Sequence, residues 1–248
     1  MWVSGTAAAI GRSVDTYYRD AARCSRMVSL LEGLVPRGGL AFDIGAHLGD
    51  RAASFVKLGA RVVAVEPQPA MFRALRLLRG TCRDVSLVQA AVGRTAGDAT
   101  MLLNSANPAT STLCRDFVAA AQTGPSWQGE NWDRHVRVSV VTFDDLIARF
   151  GVPDFTKLDV EGRENEALAG LSHPLPALSF EATSIRRGVA LSCIDRLETL
   201  GAYRYNLSLG ENHVLRHEDW VSADAIRRDI AGLTHEENSG DVYALRAH

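Results

Sequence analysis

Apolar and polar positions alternate with two different periods along the chain. From Val14 to Leu31 the apolar residues fall at Tyr17, Ala21, Cys24, Val28 and Leu31, which places one stripe on a helix. VPRGGL then ends it. LAFDI is a short apolar run with one acid, read as a buried strand. DRAASFVKLGA turns Ala52, Phe55 and Val56 to one helical face, with Gly59 as its stop. RVVAVE predicts a second strand. PAMFRALRLLRG predicts a second helix, with Met71, Ala74, Leu75 and Leu78 inward and Gly80 ending it. VSLVQAAV reads as a third strand, DATMLLN as an extra one, and VRVSVVTFDDLIARFG as a strand followed by a helix. PDFTKLDVEG and ALSFEAT are strands that end in acids. Ala190, Cys193, Ile194, Leu197 and Leu200 stripe the next helix. YRYNLSLG and DVYALRA pair as late strands around a helix over 222–233. Continuous apolar strands between amphipathic helices predict an α/β fold, its parallel sheet covered on both faces. No repeat or internal boundary interrupts the alternation. Residues 37–248 are therefore expected to form one globular unit, with residues 1–36 as an N-terminal helical extension.

Composition narrows the function classes. The 248 residues are 46% hydrophobic and 23% charged, ordinary for a globular chain with a sizeable core. The net charge of −2 gives no basic face for nucleic acid. Arg73, Arg76 and Arg79 line one side of a helix, read as a solvated face. Cys24, Cys82, Cys114 and Cys193 are scattered and form no CxxC pair, so a reduced, cytoplasmic setting is expected. The N-terminal stretch lacks a basic segment before its short apolar run, so no signal peptide is expected. No apolar run approaches the roughly 20 residues of a spanning helix.

The stretch FDIGAHLGD carries the candidate chemistry. In an open parallel sheet, ligands sit beyond the carboxyl ends of the strands, where the strand order reverses. Gly45 lets the chain turn there, and Gly49 lets a helix start lie close to a ligand with free N–H groups. The spacing Asp-x-Gly-x-x-x-Gly is not the G-x-G-x-x-G of a pyrophosphate binder. A carboxylate at Asp43 is a poor neighbour for phosphate and a good one for a ligand bearing ammonium and sulfonium charge. Glu66 ends the second strand 23 residues later, where a carboxylate can accept hydrogen bonds from both ribose hydroxyls.

FDIGAHLGD, VVAVEPQP, VQAAVG and DFTKLDVEGREN together resemble the FkbM-type methyltransferases, class I enzymes that depend on S-adenosylmethionine (SAM). The likeness runs from about Leu40 to Ala182, and KLDVEG is its specific part. His47 stands where such proteins often carry Asn. The resemblance implies a Rossmann-like, doubly wound, mostly parallel seven-stranded sheet. It implies SAM held by Asp43, Gly45, Ala46, His47 and Gly49, with Glu66 and Pro67 at the ribose, Ala90 and Ala91 flanking adenine, and Asp159 nearby. It also implies a small-molecule acceptor with a hydroxyl on a sugar, glycolipid or polyketide-like compound. A non-catalytic SAM-binding or interaction protein, or a dinucleotide-dependent oxidoreductase, are the competing readings.

Methyl transfer needs two aligned reactants and, for a hydroxyl acceptor, a proton acceptor. Asp159 is the first choice for a base or orienting group, Glu161 the second and His47 the third. The alternative for this pair is that Asp159 orders a loop and Glu161 opens a helix. Lys157 shares a sheet face with Asp159 and is expected to pair with an acid. Asp159, Glu161, Glu181 and His47 offer metal ligands on paper, yet no compact ligand motif exists, and no metal is expected. His213 is expected at the surface. Trp127 and Trp132 either stack on a substrate or cap the core. The insertion over 114–135 and the N-terminal helix are expected to shape acceptor choice. The Tyr17–Leu31 stripe covers either this core or a partner subunit, which leaves a homodimer open.

Overall fold

The computed structural model describes residues 3–247. Its main sheet joins β1 (Leu40–Ile44), β2 (Arg61–Val65), β3 (Val85–Val88), β7 (Phe155–Leu158), β8 (Ala177–Thr183), β9 (Tyr203–Leu209) and β10 (Ser239–Arg246) in the order β3-β2-β1-β7-β8-β10-β9. The strands from β3 across to β8 pair in parallel, and β10 runs antiparallel to both β8 and β9. Strand order reverses between β1 and β7, so a crevice opens beyond their carboxyl ends.

Period-two alternation divides the apolar side chains of these strands between two faces. Phe42, Ile44, Val63, Leu158 and Phe180 join one core with residues of α6 (Phe143–Phe150), α7 (Glu164–Ala169), α8 (Arg187–Leu200) and α9 (Ala223–Gly232). Ala41, Val62, Ala64, Phe155 and Tyr243 join the other with residues of α2 (Ala21–Glu32), α3 (Asp50–Lys57) and α4 (Pro69–Arg79). Each large side chain fully buried here stabilises the fold by roughly 1.5–3 kcal/mol. Among the described residues no helix is long and apolar enough to cross a membrane.

Three expectations are corrected. The stripe from Val14 to Leu31 is not one helix. α1 (Val3–Tyr18) stops, and Asp20 caps α2 by accepting the Arg23 N–H at 2.9 Å. The inward residues of α2 are Arg23, Met27 and Leu31, while Ala21 is exposed. On α4, Leu78 faces solvent, because Met71 and Leu75 already fill the contact with the sheet. Arg73 and Arg76 are exposed as expected, but Arg79 donates to the Tyr18 hydroxyl at 3.1 Å.

VSLVQAAV also divides. Its first half is β3, and its end is β4 (Ala91–Val92), which belongs to a second sheet ordered β4-β6-β5. There β6 (Arg134–Val141) pairs parallel to β4 and antiparallel to β5 (Gly97–Leu103). The redirection carries Ala90 and Ala91 past the end of β2 toward the crevice.

Candidate active site

The crevice is built from the turn that follows β1. Gly45 and Ala46 both donate to the Val65 carbonyl at 2.9 Å, so the turn folds over the end of β2. Gly45 has φ +84°, and a Cβ there would lie 1.7 Å from the Asp159 carbonyl oxygen. Only glycine fits between these two backbones. Asp159 N–H donates back to Ile44 at 2.9 Å, which fastens the turn after β7 to the turn after β1. Gly49, at φ +78°, caps α3, but its bare side packs on Leu75 and Arg79 of α4. Gly49 therefore does not border the crevice, and its closeness is to a helix.

Two buried acids end the first two strands. Asp43 Oδ2 accepts the Ala52 N–H of α3 at 3.0 Å. Glu66 accepts the His47 N–H at 2.8 Å through one oxygen and the Gln68 N–H at 2.7 Å through the other. Each Glu66 oxygen keeps a second lone pair for another donor. Burial pushes both carboxyls up to about 7; the Asp50 charge adds to this at Asp43, and the two backbone N–H groups oppose it at Glu66. His47 has φ +49°, a ring edge-on to Tyr17 at 5.8 Å, and a buried Nε2 without a hydrogen-bond partner. Burial holds its imidazole neutral, with a pKa lowered to about 4.

A cleft of about 920 Å³ runs over these turns, and every residue expected in the site except Gly49 borders it. Ala90 and Ala91 are small, nearly buried parts of its wall. Tyr17 of α1 also borders it, as does a stretch the sequence pattern did not indicate: Met101 of β5, and Ser111 and Leu113 in the chain between β5 and α5 (Arg115–Thr123).

Asp159, Glu161 and Glu181 gather at the other end, with one oxygen of each within 4.8 Å of the others. Burial pushes Glu161 and Glu181 well above the ordinary carboxylate range, helped at Glu161 by the charge of Glu181 and at Glu181 by that of Asp159. Lys157 pairs with acids as expected: Asp241 at 2.6 Å and Asp159 at 3.3 Å. Burial works against its charge, but these two acids outweigh it, so its pKa is raised. Glu161 does not open a helix; it has φ +54° and lies ahead of α7. Glu164 does the ordering instead. Its Oε1 accepts the Val160 N–H at 3.0 Å and the Gly162 N–H at 3.2 Å, and burial pushes it up to about 7.

A separate charged cluster closes the cleft mouth. Buried Arg23 bonds Asp50 at 3.1 Å and also bonds Glu211. Arg51 bonds Asp50 at 2.7 Å and Glu211 at 3.0 Å. The cluster ties α2, α3 and the loop after β9 together. His213 is not at the surface: it is buried in that loop, with Nε2 3.1 Å from Glu211. Trp127 and Trp132 cap a satellite core. Both pack edge-on against Phe117; Trp127 donates to Asn238 at 3.1 Å and Trp132 to the Thr110 carbonyl at 2.8 Å.

The sheet order, with an antiparallel β10 set between β8 and β9, is that of the class I methyltransferases. The sequence then supplies the family: residues 43–227 match the methyltransferase FkbM domain, and the chain belongs to this family of SAM-dependent methyltransferases. No curated protein matches it in sequence. Among solved structures, it is similar to a TehB-like SAM-dependent methyltransferase from Corynebacterium glutamicum (12% identity, 97% of this chain and 96% of that one, TM-score 0.48). It is also similar to precorrin-6Y C5,15-methyltransferase from Geobacter metallireducens (13% identity, 89% and 88%, TM-score 0.47). A third is Aeropyrum pernix fibrillarin in complex with natively bound SAM (12% identity, 88% and 73%, TM-score 0.42).

Proposed function

We propose that this methyltransferase acts on oxygen: it methylates a hydroxyl of a small-molecule acceptor such as a sugar, glycolipid or polyketide-like compound. SAM supplies an electrophilic methyl group on a sulfonium. The observation that carries the reading is the meeting, in one cleft, of buried acids after β1 and β2 with the acid-lined turn after β7. Glu66 has no ion-pair partner among the described residues, and its two free lone pairs suit the ribose hydroxyls. Asp43, on the neighbouring strand, adds negative potential for a positively charged donor. The Gly45–His47 turn gives the donor a wall of bare backbone, and Ala90 and Ala91 leave room for a flat base.

Beyond the turn after β7, Asp159 borders the cleft and pairs with Lys157 at 3.3 Å. It orients the acceptor hydroxyl and receives its proton as the oxygen–carbon bond forms and the carbon–sulfur bond breaks. Glu161 is the second candidate for that part. His47 is neutral and walls the donor side.

Calorimetry with SAM tests the first half, and methylated product from a panel of hydroxyl compounds tests the second. Asp159→Asn is expected to bind SAM like the parent and to turn over about 10²-fold or more slowly, the usual scale for a lost proton acceptor. Full turnover in Asp159→Asn would remove that residue from its role. Tight SAM binding with no transfer across the panel would favour a non-catalytic SAM-binding protein.

A further inference from the structure

The far-end acids have an arrangement that proton transfer alone does not call for. Asp159 follows β7, Glu161 sits in the left-handed turn beyond it, and Glu181 projects from β8, yet one oxygen from each converges within 4.8 Å. The Oε2 atoms of Glu161 and Glu181 are buried, and neither has a hydrogen-bond partner. Lys157 is held by Asp241 and Asp159 and forms no ion pair with either glutamate. Buried carboxyl oxygens without a hydrogen-bond partner are rare, and a metal ligand role is one of the few arrangements that satisfies them. Three carboxylate oxygens form a hard donor set, suited to Mg²⁺ or Mn²⁺ rather than to soft metals. Oxygens around such an ion lie roughly 3 Å apart, so modest side-chain rotation closes the present spacing.

We propose that Asp159, Glu161 and Glu181 bind one hard divalent cation of the Mg²⁺ or Mn²⁺ kind. Asp159 and Glu161 border the cleft and Glu181 does not, so the ion would face the acceptor and take two of its oxygens as further ligands. The acceptor class narrows accordingly, to hydroxyl compounds with a second oxygen on an adjacent atom, able to chelate. This narrowing rests on the O-methylation reading; cation binding itself does not.

Titrating the full chain with Mn²⁺ and following the free-ion electron paramagnetic resonance signal tests the site, with SAM calorimetry on the same sample. One Mn²⁺ per chain is expected. Glu181→Gln, which keeps shape and lies off the cleft wall, should weaken Mn²⁺ binding about tenfold or more while SAM affinity stays unchanged. Glu161→Gln should also weaken Mn²⁺ binding, and serves if the first variant does not fold. No bound Mn²⁺ at millimolar concentration, or parental Mn²⁺ affinity in a folded glutamine variant, overturns the site. A chain that binds Mn²⁺ but not SAM keeps the cation site and loses the methyl-transfer reading; the reverse result separates them the other way.

Discussion

Two charged clusters share one cleft and differ in how they are balanced. At the mouth, Arg23 and Arg51 meet Asp50 and Glu211, two cations against two anions, each with a close partner. At the far end, Asp159, Glu161 and Glu181 face one lysine that Asp241 also claims. The pKa values follow this difference. Asp50 and Glu211 are held below the ordinary carboxylate range: burial alone would raise both, but it is outweighed first by Arg51 and also by Arg23. Glu161 and Glu181 are pushed above it, by burial first. A neutralised cluster has nothing left to attract and works as a clamp on α2, α3 and the loop after β9. The other has more carboxyls than cations, which is the imbalance the proposed cation would answer.

The contrast breaks most visibly at the mouth. Arg51→Met leaves buried Asp50 and half-exposed Glu211 with Arg23 as their shared cation, and the folded state should lose about 3 kcal/mol, read as a lower midpoint in urea. A loss below about 1 kcal/mol would show that the clamp is not structural. Next comes the donor end. Glu66→Ala removes charge-assisted bonds worth about 1.5–3 kcal/mol each, so SAM affinity should fall at least tenfold by calorimetry. An unchanged affinity would move the ribose elsewhere.

The pH dependence sharpens the comparison further. Asp43 and Glu66 titrate near 7 when folded and near 4 when unfolded. Between those values the folded state binds more protons, so stability falls as pH rises through 7. Without cofactor, stability should drop by about 1 kcal/mol for each group between pH 6 and 8, while SAM affinity rises over the same interval. His47 acts oppositely: its folded pKa near 4 costs stability as pH falls below 6.5. Two acids outweigh one histidine, so the melting temperature of the cofactor-free chain should fall from pH 6 to pH 8, and the absence of a fall would contradict the shifts at Asp43 and Glu66. The smallest effect is at the far end. Glu181→Gln relieves like-charge repulsion and should stabilise the cofactor-free chain by about 1 kcal/mol, opposite in sign to Arg51→Met.

The alternation of apolar strands with amphipathic helices made the strands of the main sheet legible, and the acids that follow β7 with them; that β7 lies beside β1 is set by pairing across the sheet. Asp43, Glu66 and Asp159 could be placed because strand ends are fixed by local pattern. What escaped was decided by distant contacts. Arg23 reads as a surface residue until Glu211, 188 positions away, pairs with it. VSLVQAAV is a uniform apolar run, and nothing in it announces that Ala91 pairs with Val140 instead of extending β3. One missed feature did leave a signal: Asp20 before AARC is an N-cap, enough to divide α1 from α2. The three acids could be grouped as strand-end residues, but no ligand motif announced that one oxygen of each converges within 4.8 Å.

The missing side chain at position 45 has a mechanical consequence. Where the turn after β1 touches the turn after β7, the two backbones share one boundary with no slack, so the turn proposed to grip the donor and the turn proposed to position the acceptor are coupled. Even the smallest addition at Gly45 would wedge them apart, degrading the alignment of the reactants before it weakened the grip on either. On that assignment, the spacing between the two reactants would be set by main-chain contact.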